Sequence, residues 1–288
     1  MEPEQLRIRI HGNDSLPALV YLPGVHGDWT LVSSFRAAIS GSVRFVEFTY
    51  PRTRTWSVNQ YAAAVELELS RCGITAGWLL AESFGSAIAW AMMAPHRTRA
   101  GQGFQVSGLV LAGGFVKHPW PSGARFLRWI GERISMRFYG RLLNAYALYA
   151  KFRHRRASET LASIEEFVAR RTEPDREAMR ARLMLIARND PRAIAESAAQ
   201  PVYYLGGAID PLVPWYWVRW WLSKHCPGYG GGRTIWSADH NVLGTSPNDS
   251  ARQVLKWINE SAKNESWEHR NQVATLVAES QLGGPART

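Results

Sequence analysis

The chain has 288 residues and a formal net charge of +10, with 46% hydrophobic and 20% charged residues. This composition excludes a disordered chain and supplies a sizeable core, so we expect one elaborated globular domain rather than two independent ones. No apolar stretch reaches the ~18 residues that span a bilayer, and the N-terminus lacks the pattern of a signal peptide. The two cysteines, Cys72 and Cys226, have neither metal-binding nor redox spacing, so a cytoplasmic location is expected.

Seven short apolar segments predict the strands of one sheet. They alternate with helical patterns along most of the chain. The segments cover residues 6–10, 18–22, 43–48, 77–81, 107–112, 202–205 and 233–236. Strands that alternate with helices predict an α/β fold with a mostly parallel central sheet and helices on both faces.

The strongest helical pattern lies between the third and fourth strands. Ser57 and Gln60 have the spacing of a capping box, and Gly73 supplies a stop. The apolar stripe of this helix comprises Val58, Tyr61, Val65 and Leu69. Further helices are predicted over 28–39, 215–225 and about 250–261. Their expected inward residues are Leu31, Phe35 and Ile39 in the first of these, and Val254, Leu255 and Ile258 in the last.

An aromatic run opens the predicted helix over 215–225. Trp217, Trp220 and Trp221 share a face at helical spacing. We expect this face to pack against the sheet. A pocket wall or a membrane-facing edge is the alternative, because the run follows closely on Asp210.

The most informative segment is Ala81-Glu82-Ser83-Phe84-Gly85, between an apolar strand and a run of small helical residues. A strand that turns into a helix at x-Ser-x-Gly exposes the serine hydroxyl at the tip of the turn, as in a nucleophile elbow. Ala81 stands where the motif has glycine, which crowds the turn slightly. Ser83 is therefore a candidate nucleophile, and read alone it could equally be a helix N-cap.

Two further candidates follow in the order Ser, Asp, His. Asp210 comes on a loop after a strand that ends in glycines, and His240 follows the last strand. A serine hydroxyl needs an imidazole to take its proton, and the imidazole needs an anion to orient it and to stabilise its charged form. Asp239 also adjoins His240, but a residue next in sequence is poorly placed to reach the ring. We therefore predict a triad of Ser83, Asp210 and His240.

These segments resemble the α/β-hydrolase superfamily, in its capped branch of serine esterases and thioesterases, over most of residues 5–262. The segment at 20–28 looks like the loop of that superfamily that helps to bind the oxyanion, with Pro23-Gly24 where His-Gly is usual. The resemblance implies that the main-chain N–H groups of Phe84 and Val25, or alternatively His26, bind the oxyanion.

The interval after the fifth strand breaks the alternation of strands and helices. It shows helical patterns at 122–135, 137–153, 159–171 and 174–189 and no convincing strand. The resemblance implies that this insertion is a helical cap over the active site. We therefore predict a hydrolase core of residues 1–114 and 200–262, a cap of residues 115–199, and a tail or short helix at 263–288.

The beginning of the predicted cap is strongly basic, and aromatic and aliphatic residues are interleaved with the charges. Against the single acid Glu132 stand ten basic residues: Lys117, Arg125, Arg128, Arg133, Arg137, Arg141, Lys151, Arg153, Arg155 and Arg156. One interpretation is a solvated face, partly paired with acids elsewhere. Another is contact with an anionic surface, either an acidic acyl-carrier protein or a membrane. Nucleic acid is disfavoured because no recognition motif accompanies the charge.

The predicted activity is hydrolysis of a carboxylic ester or thioester with a hydrophobic acyl group, through an acyl-enzyme. A carbon–carbon or amide hydrolase would use the same residues, and a non-catalytic small-molecule binder could share the fold. The histidines lack His-Glu-x-x-His spacing, so no metal is expected. A glycine-rich run at 228–232 precedes a predicted strand and lacks the ending of a phosphate loop. No cofactor is implied.

Overall fold

Seven strands form one sheet in the order β1-β3-β2-β4-β5-β6-β7, and only β1 runs antiparallel to its neighbour. The computed structural model describes residues 5–95, 103–118, 158–169 and 172–263, with isolated helical positions at 141, 145 and 148. The strands are β1 Arg7–His11, β2 Ala18–Leu22, β3 Arg44–Thr49, β4 Ala76–Glu82, β5 Gln105–Ala112, β6 Val202–Gly207 and β7 Tyr229–Ile235. The predicted α/β class and mostly parallel sheet are confirmed.

Helices cover both faces of the sheet. They are α1 Ser33–Ile39, α2 Val58–Arg71, α3 Gly85–Met92, α4 Ser158–Ala169, α5 Glu173–Arg188, α6 Arg192–Ala195, α7 Trp215–His225, α8 Val242–Thr245 and α9 over 247–263. Buried side chains of α2, α3 and α7 form one core layer, and those of α1, α8 and α9 form the other. The N-terminal part of the predicted helix over 28–39 is a short 3-10 turn at Thr30–Val32.

The predicted signals of α2 are confirmed. Ser57 Oγ accepts from the Gln60 N–H at 3.3 Å, and Gln60 Oε1 accepts from the Ser57 N–H at 2.8 Å. These reciprocal bonds satisfy two main-chain donors that the first turn would leave unpaired. The whole predicted stripe is buried: Val58, Tyr61, Val65 and Leu69. Gly73 has φ +69°, which ends the helix in the left-handed region.

Two sequence predictions about the C-terminal half are wrong in detail. The glycine-rich run does not precede the last strand but lies within it, since β7 begins at Tyr229. A Cβ at Gly230 would overlap the ring of Tyr203 on the neighbouring strand, so glycine is needed there for close pairing. In α9, Val254 and Ile258 are buried as expected, whereas Leu255 is only partly buried.

The aromatic face of α7 points away from the sheet, contrary to expectation. The helix packs through Val218 and Leu222, while Trp217 is 47% exposed and Trp220 is 48% exposed. Their two rings contact each other, with centroids 4.8 Å apart. Trp221 is the member of the predicted face that is partly buried against the core. Val218 and Leu222 are the residues of α7 that are buried against the core.

The described part of the insertion between β5 and β6 contains the helices α4, α5 and α6. Helices α4 and α5 match the predicted patterns at 159–171 and 174–189, and the patterns at 122–135 and 137–153 lie outside the described residues except for the isolated positions. Ile164 and Phe167 of α4 pack on Leu31 of the 3-10 turn. Among the helices of the described residues, none is long and apolar enough to cross a membrane.

Candidate active site

The turn between β4 and α3 holds Ser83 in a strained conformation. Ser83 has φ +48°, and it is the only non-glycine residue with positive φ in the described part of the chain. Such a conformation costs about 1–3 kcal/mol and persists only where the surroundings impose it. The turn also packs closely against β2 at Gly85, because a Cβ there would overlap the carbonyl oxygen of Leu22. The predicted elbow geometry is therefore present at Ser83.

Hydrogen bonds join the turn at Ser83 to the end of β5 and the residues that follow it. The Ser83 N–H donates to the Ala112 carbonyl at 3.2 Å, and the Ser86 hydroxyl donates to the Ser83 carbonyl. Ser86 Oγ in turn accepts from the Phe115 N–H at 3.2 Å. Ser83 is 8% exposed. Its position is thus set by backbone contacts on both sides of the turn.

Asp210 and His240 lie on the loops that follow β6 and β7, and they are hydrogen-bonded. His240 Nδ1 lies 2.8 Å from Asp210 Oδ2. The other carboxylate oxygen, Oδ1, accepts from the N–H groups of Leu212 and Val213 at 2.8 and 2.9 Å. The Asp210 carboxylate is buried, whereas the His240 side chain is 20% exposed. These bonds fix the carboxylate and leave the imidazole partly accessible.

The surroundings of His240 favour its charged form. Burial lowers the pKa of His240, but the hydrogen bond and the charge of Asp210 raise it, and the charges of Glu82 and Asp239 add to them. The net pKa of His240 lies above its ordinary value of 6.5. An anion beside the ring is what stabilises an imidazolium that forms when a base takes a proton.

Asp239 is engaged elsewhere. Its carboxylate oxygen Oδ1 accepts from the Asn241 N–H at 2.9 Å and from the Thr245 hydroxyl at 3.3 Å. The carboxylate therefore caps the turn that leads into α8. Asp210, and not Asp239, is the acid in contact with the imidazole of His240.

Ser83 and His240 both lie next to the end of β5. Gly113 follows Ala112, the residue that accepts from the Ser83 N–H, and a Cβ at Gly113 would lie 3.4 Å from His240 Nδ1. No hydrogen bond joins Ser83 Oγ to His240 Nε2 among the described residues. Such bonds are often long in proteins without substrate and tighten when substrate binds. All three predicted residues are at the same carboxyl edge of the sheet.

Two main-chain N–H groups beside the elbow have no acceptor. In the described part of the chain, neither the Phe84 N–H nor the Val25 N–H makes a hydrogen bond. Phe84 is buried and Val25 is half-buried. Buried main-chain donors without partners are rare, because each one costs roughly as much as a lost hydrogen bond. These are the two donors that the resemblance implied for an oxyanion, with His26 as the alternative to Val25.

The sequence interpretation missed a second acid, Glu82, next to the candidate nucleophile Ser83. Glu82 is buried, accepts from the hydroxyl of Tyr21, and has its Oε1 atom 4.0 Å from His26 Nδ1. Burial, together with the charge and hydrogen bond of Glu82, raises the pKa of Tyr21 well above 10.0. The sequence does mark this acid, because Glu82 is the last residue of a strand whose preceding residues are all apolar.

A buried arginine in the insertion was also missed. Arg182 of α5 is 2% exposed, and its Nη1 atom donates to the Val25 carbonyl at 2.9 Å. A signal was available, because Ala178, Arg182 and Ile186 recur at spacing four and all three are buried. Arginine on an apolar stripe of a helix indicates a buried guanidinium.

Metal ligands do not gather at the site. Among the described residues, no group of three or more His, Cys, Asp and Glu side chains could hold a metal ion. Cys226 is buried in the core, where desolvation raises its pKa to about 11, and Cys72 is half-buried. The chemistry available here is that of the serine, the imidazole, the carboxylates and the main-chain donors.

Comparisons with known proteins find likeness in structure only. No protein-family model and no curated protein matches the sequence. An esterase from Thermogutta terrifontis is 17% identical with a TM-score of 0.70, covering 89% of this chain and 93% of its own. The enol-lactonase from Burkholderia xenovorans is 17% identical with a TM-score of 0.67, covering 90% of this chain and 96% of its own. An alpha/beta hydrolase enzyme from a Medee basin deep-sea metagenome library is 15% identical with a TM-score of 0.68, covering 88% and 94%.

Proposed function

We propose that this chain, whose fold is that of the α/β hydrolases, is a serine hydrolase that cleaves a carboxylic ester or thioester. The observation that carries the proposal is a strained serine at the same edge of the sheet as a hydrogen-bonded acid–imidazole pair. Ser83 has φ +48°, and His240 Nδ1 lies 2.8 Å from Asp210 Oδ2. A fold alone does not fix an activity, so the proposal depends on these residues.

Ser83 Oγ attacks the carbonyl carbon while His240 Nε2 takes its proton, and Asp210 holds the imidazole in the required tautomer. The oxyanion of the tetrahedral intermediate is bound by the unpaired N–H groups of Phe84 and Val25. His240 then gives the proton to the leaving alcohol or thiol, and an acyl-enzyme remains. Water, activated by the same imidazole, releases the acid and regenerates Ser83.

A serine-directed fluorophosphonate probe tests the nucleophile. The native chain should be labelled stoichiometrically, and Ser83→Ala should not be labelled. The matched control is Ser197→Ala, an exposed serine beside α6, which should label like the native chain. Labelling that survives in Ser83→Ala would remove Ser83 from its role.

The acyl specificity rests on the insertion. The interleaved apolar residues between 126 and 152 favour a substrate with a hydrophobic acyl chain. A screen of p-nitrophenyl esters and acyl thioesters of increasing chain length, with Ser83→Ala as background, tests this. Turnover that rises with chain length supports the assignment. Turnover of amides or of carbon–carbon substrates in preference to all esters would favour the alternative hydrolase class.

The proposed domain organisation is a core of residues 1–114 and 200–262 with residues 115–199 as a cap over the site. The contacts of α4 with the 3-10 turn and of Arg182 with Val25 support it, because both tie the insertion to the loop after β2. A lid of this kind would shape the pocket and exclude water. The cytoplasmic location stays a prediction.

An anionic partner is the proposed explanation of the basic segment, either an acidic acyl-carrier protein or an anionic membrane surface. Of the ten basic residues, Lys117 is paired within the chain, its Nζ atom lying 2.7 Å from Asp190. Most of the others lie outside the described residues. The partner would be attracted by the local excess of positive charge.

Salt dependence tests this partner. Activity on a substrate tethered to the acidic carrier, or presented in anionic vesicles, should fall as salt screens the encounter. Activity on a small neutral ester should barely respond. The triple change of Arg133, Arg137 and Arg141 to Gln should reproduce the loss at low salt. Equal salt sensitivity for both substrates would identify these arginines as an ordinary solvated face.

A further inference from the structure

Arg182 is a buried cation with unusual partners. Its guanidinium donates through Nη1 to the Val25 carbonyl at 2.9 Å, through Nη2 to the Pro51 carbonyl at 3.0 Å, and through Nε to the Tyr61 hydroxyl at 3.4 Å. It makes no ion pair with any carboxylate of the described residues. Its partners therefore come from three separate segments of the core.

The cost of burying this charge is offset by geometry. Taking an isolated cation out of water is expensive unless every donor finds a partner. The planar fork of an arginine presents two nitrogens to two carbonyls at once, which a lysine ammonium cannot do. The guanidinium carbon also lies 5.4 Å from the centroid of the Tyr50 ring and 5.9 Å from that of Tyr61. Aromatic faces stabilise a cation at such distances.

The segment that Arg182 holds is the turn after β2. The Gly27 N–H donates to the Gly24 carbonyl at 3.0 Å, so that Val25 and His26 are the central residues of the turn. Gly27 has φ +81°, and a Cβ there would overlap the guanidinium of Arg182. The Val25 carbonyl is thus fixed by the arginine, and the N–H of the same residue is the unpaired donor beside the elbow. The Val25 carbonyl lies in the peptide plane after Val25 and the Val25 N–H in the plane before it. Fixing the carbonyl therefore acts through the turn, which the Gly27 N–H to Gly24 carbonyl bond closes and which sets the direction of the Val25 N–H.

We propose that Arg182 is a positioning residue for the oxyanion site: a side chain of the insertion orients the Val25 N–H of the core. The inference rests on the proposed function for its catalytic part. Helix α5 is tied to the same region a second time, since Arg52 Nε donates to Asp175 Oδ1 at 2.7 Å. The insertion therefore contributes to the site by supporting the turn that carries the Val25 N–H. Without the contacts of α5, this N–H would not be held in its direction.

Two variants and a matched control test the role. Arg182→Met keeps the length and removes the fork, and Arg182→Lys keeps the charge alone. Arg188→Met is the control, because Arg188 is exposed on the same helix. The concentration of active sites in each protein is measured by fluorophosphonate titration carried to completion, and kcat is calculated per titrated site. We expect kcat of the Met variant to fall about 10- to 100-fold with KM little changed, since a misplaced donor weakens transition-state binding. Affinity for a boronic acid that forms a tetrahedral adduct should fall in parallel, and the Lys variant should be intermediate.

Hydrogen exchange provides a readout that does not need activity. Amides of residues 24–28 should exchange faster in Arg182→Met than in the native chain, and Arg188→Met should leave them unchanged. A Met variant with lower thermal stability but native kcat per titrated site would overturn the positioning role. Unchanged exchange at residues 24–28 would overturn the contact itself. If the native chain neither labels nor turns over any ester, the proposed function fails and the catalytic role of Arg182 fails with it, while exchange still decides whether Arg182 holds the turn.

Discussion

Two histidine–carboxylate pairs lie at the carboxyl edge of the sheet, and they differ in what the ring is free to do. His240 directs Nδ1 to Asp210 at 2.8 Å, and its Nε2 has no partner among the described residues. His26 donates from Nε2 to the Asp28 carbonyl at 2.9 Å, and its Nδ1 faces Glu82 at 4.0 Å. A general base needs a ring nitrogen that can take a proton from substrate or nucleophile. The two pairs therefore differ at Nε2, which has no partner in His240 among the described residues and is committed to a carbonyl in His26.

The largest expected difference between the pairs is the effect of removing each histidine. His240→Ala should reduce kcat by about 10⁴-fold or more, close to the effect of Ser83→Ala, because the nucleophile loses its base. His26→Ala should cost less than the ~10²-fold typical of a lost general base. Steady-state kinetics on one p-nitrophenyl ester, normalised to folded protein, measure both. Similar losses of kcat in His240→Ala and His26→Ala would contradict the different roles assigned to the two histidines.

The carboxylates should follow the same order. Asp210→Asn should leave a folded protein with kcat lowered by about 10⁴-fold, because an amide favours the wrong imidazole tautomer. Asp239→Asn should change kcat only slightly, since its carboxylate bonds to Asn241 and Thr245. Circular dichroism checks that both variants fold. A severe loss in Asp239→Asn with a mild one in Asp210→Asn would show that the acid has been misassigned.

The dependence of kcat/KM on pH should report an interaction between the two pairs, because the charge of Glu82 raises the pKa of His240. The base is active when neutral, so the acidic limb of kcat/KM should lie above pH 6.5. Glu82→Gln removes a nearby negative charge, which lowers the pKa of His240 and moves that limb to lower pH. Glu68→Gln, on the outer part of α2, is the control and should leave the limb in place. A limb that stays or moves upward in Glu82→Gln contradicts the electrostatic coupling.

The smallest expected effect concerns the support of the second pair. Tyr21→Phe removes the hydroxyl that donates to Glu82 and leaves a buried carboxylate oxygen without that donor. We expect the free energy of unfolding to fall by about 1–3 kcal/mol. Urea unfolding measures this, with Tyr216→Phe on the exposed face of α7 as the control. A change below ~0.5 kcal/mol, the size of an ordinary surface effect, would show that Glu82 does not depend on Tyr21.

The sequence predicts what local spacing determines. The capping box at Ser57 and the elbow at Ser83 are each written in a few neighbouring residues, whereas Asp210 and His240 were predicted from their order along the chain and the strands that precede them. No local motif and no chain order marks the pairing of Glu82 with His26, which was therefore not predicted. The outward turn of Trp217 was missed for a related reason, since helical spacing identifies a face but does not say which face docks.

The insertion separates two strands that pair directly, β5 and β6, whose register places Leu109 opposite Val202. During synthesis the elbow and its strand emerge long before the segments that carry the acid and the base. The edge of β5 in the nascent sheet therefore stays unpaired until the insertion and β6 have been synthesised. Forming contacts across so long a connection is slow, although the entropic cost of closing it grows only slowly with length. Ser83 is thus synthesised well before Asp210, His240 and the Arg182 contact, and the proposed site is incomplete until all of them are in place.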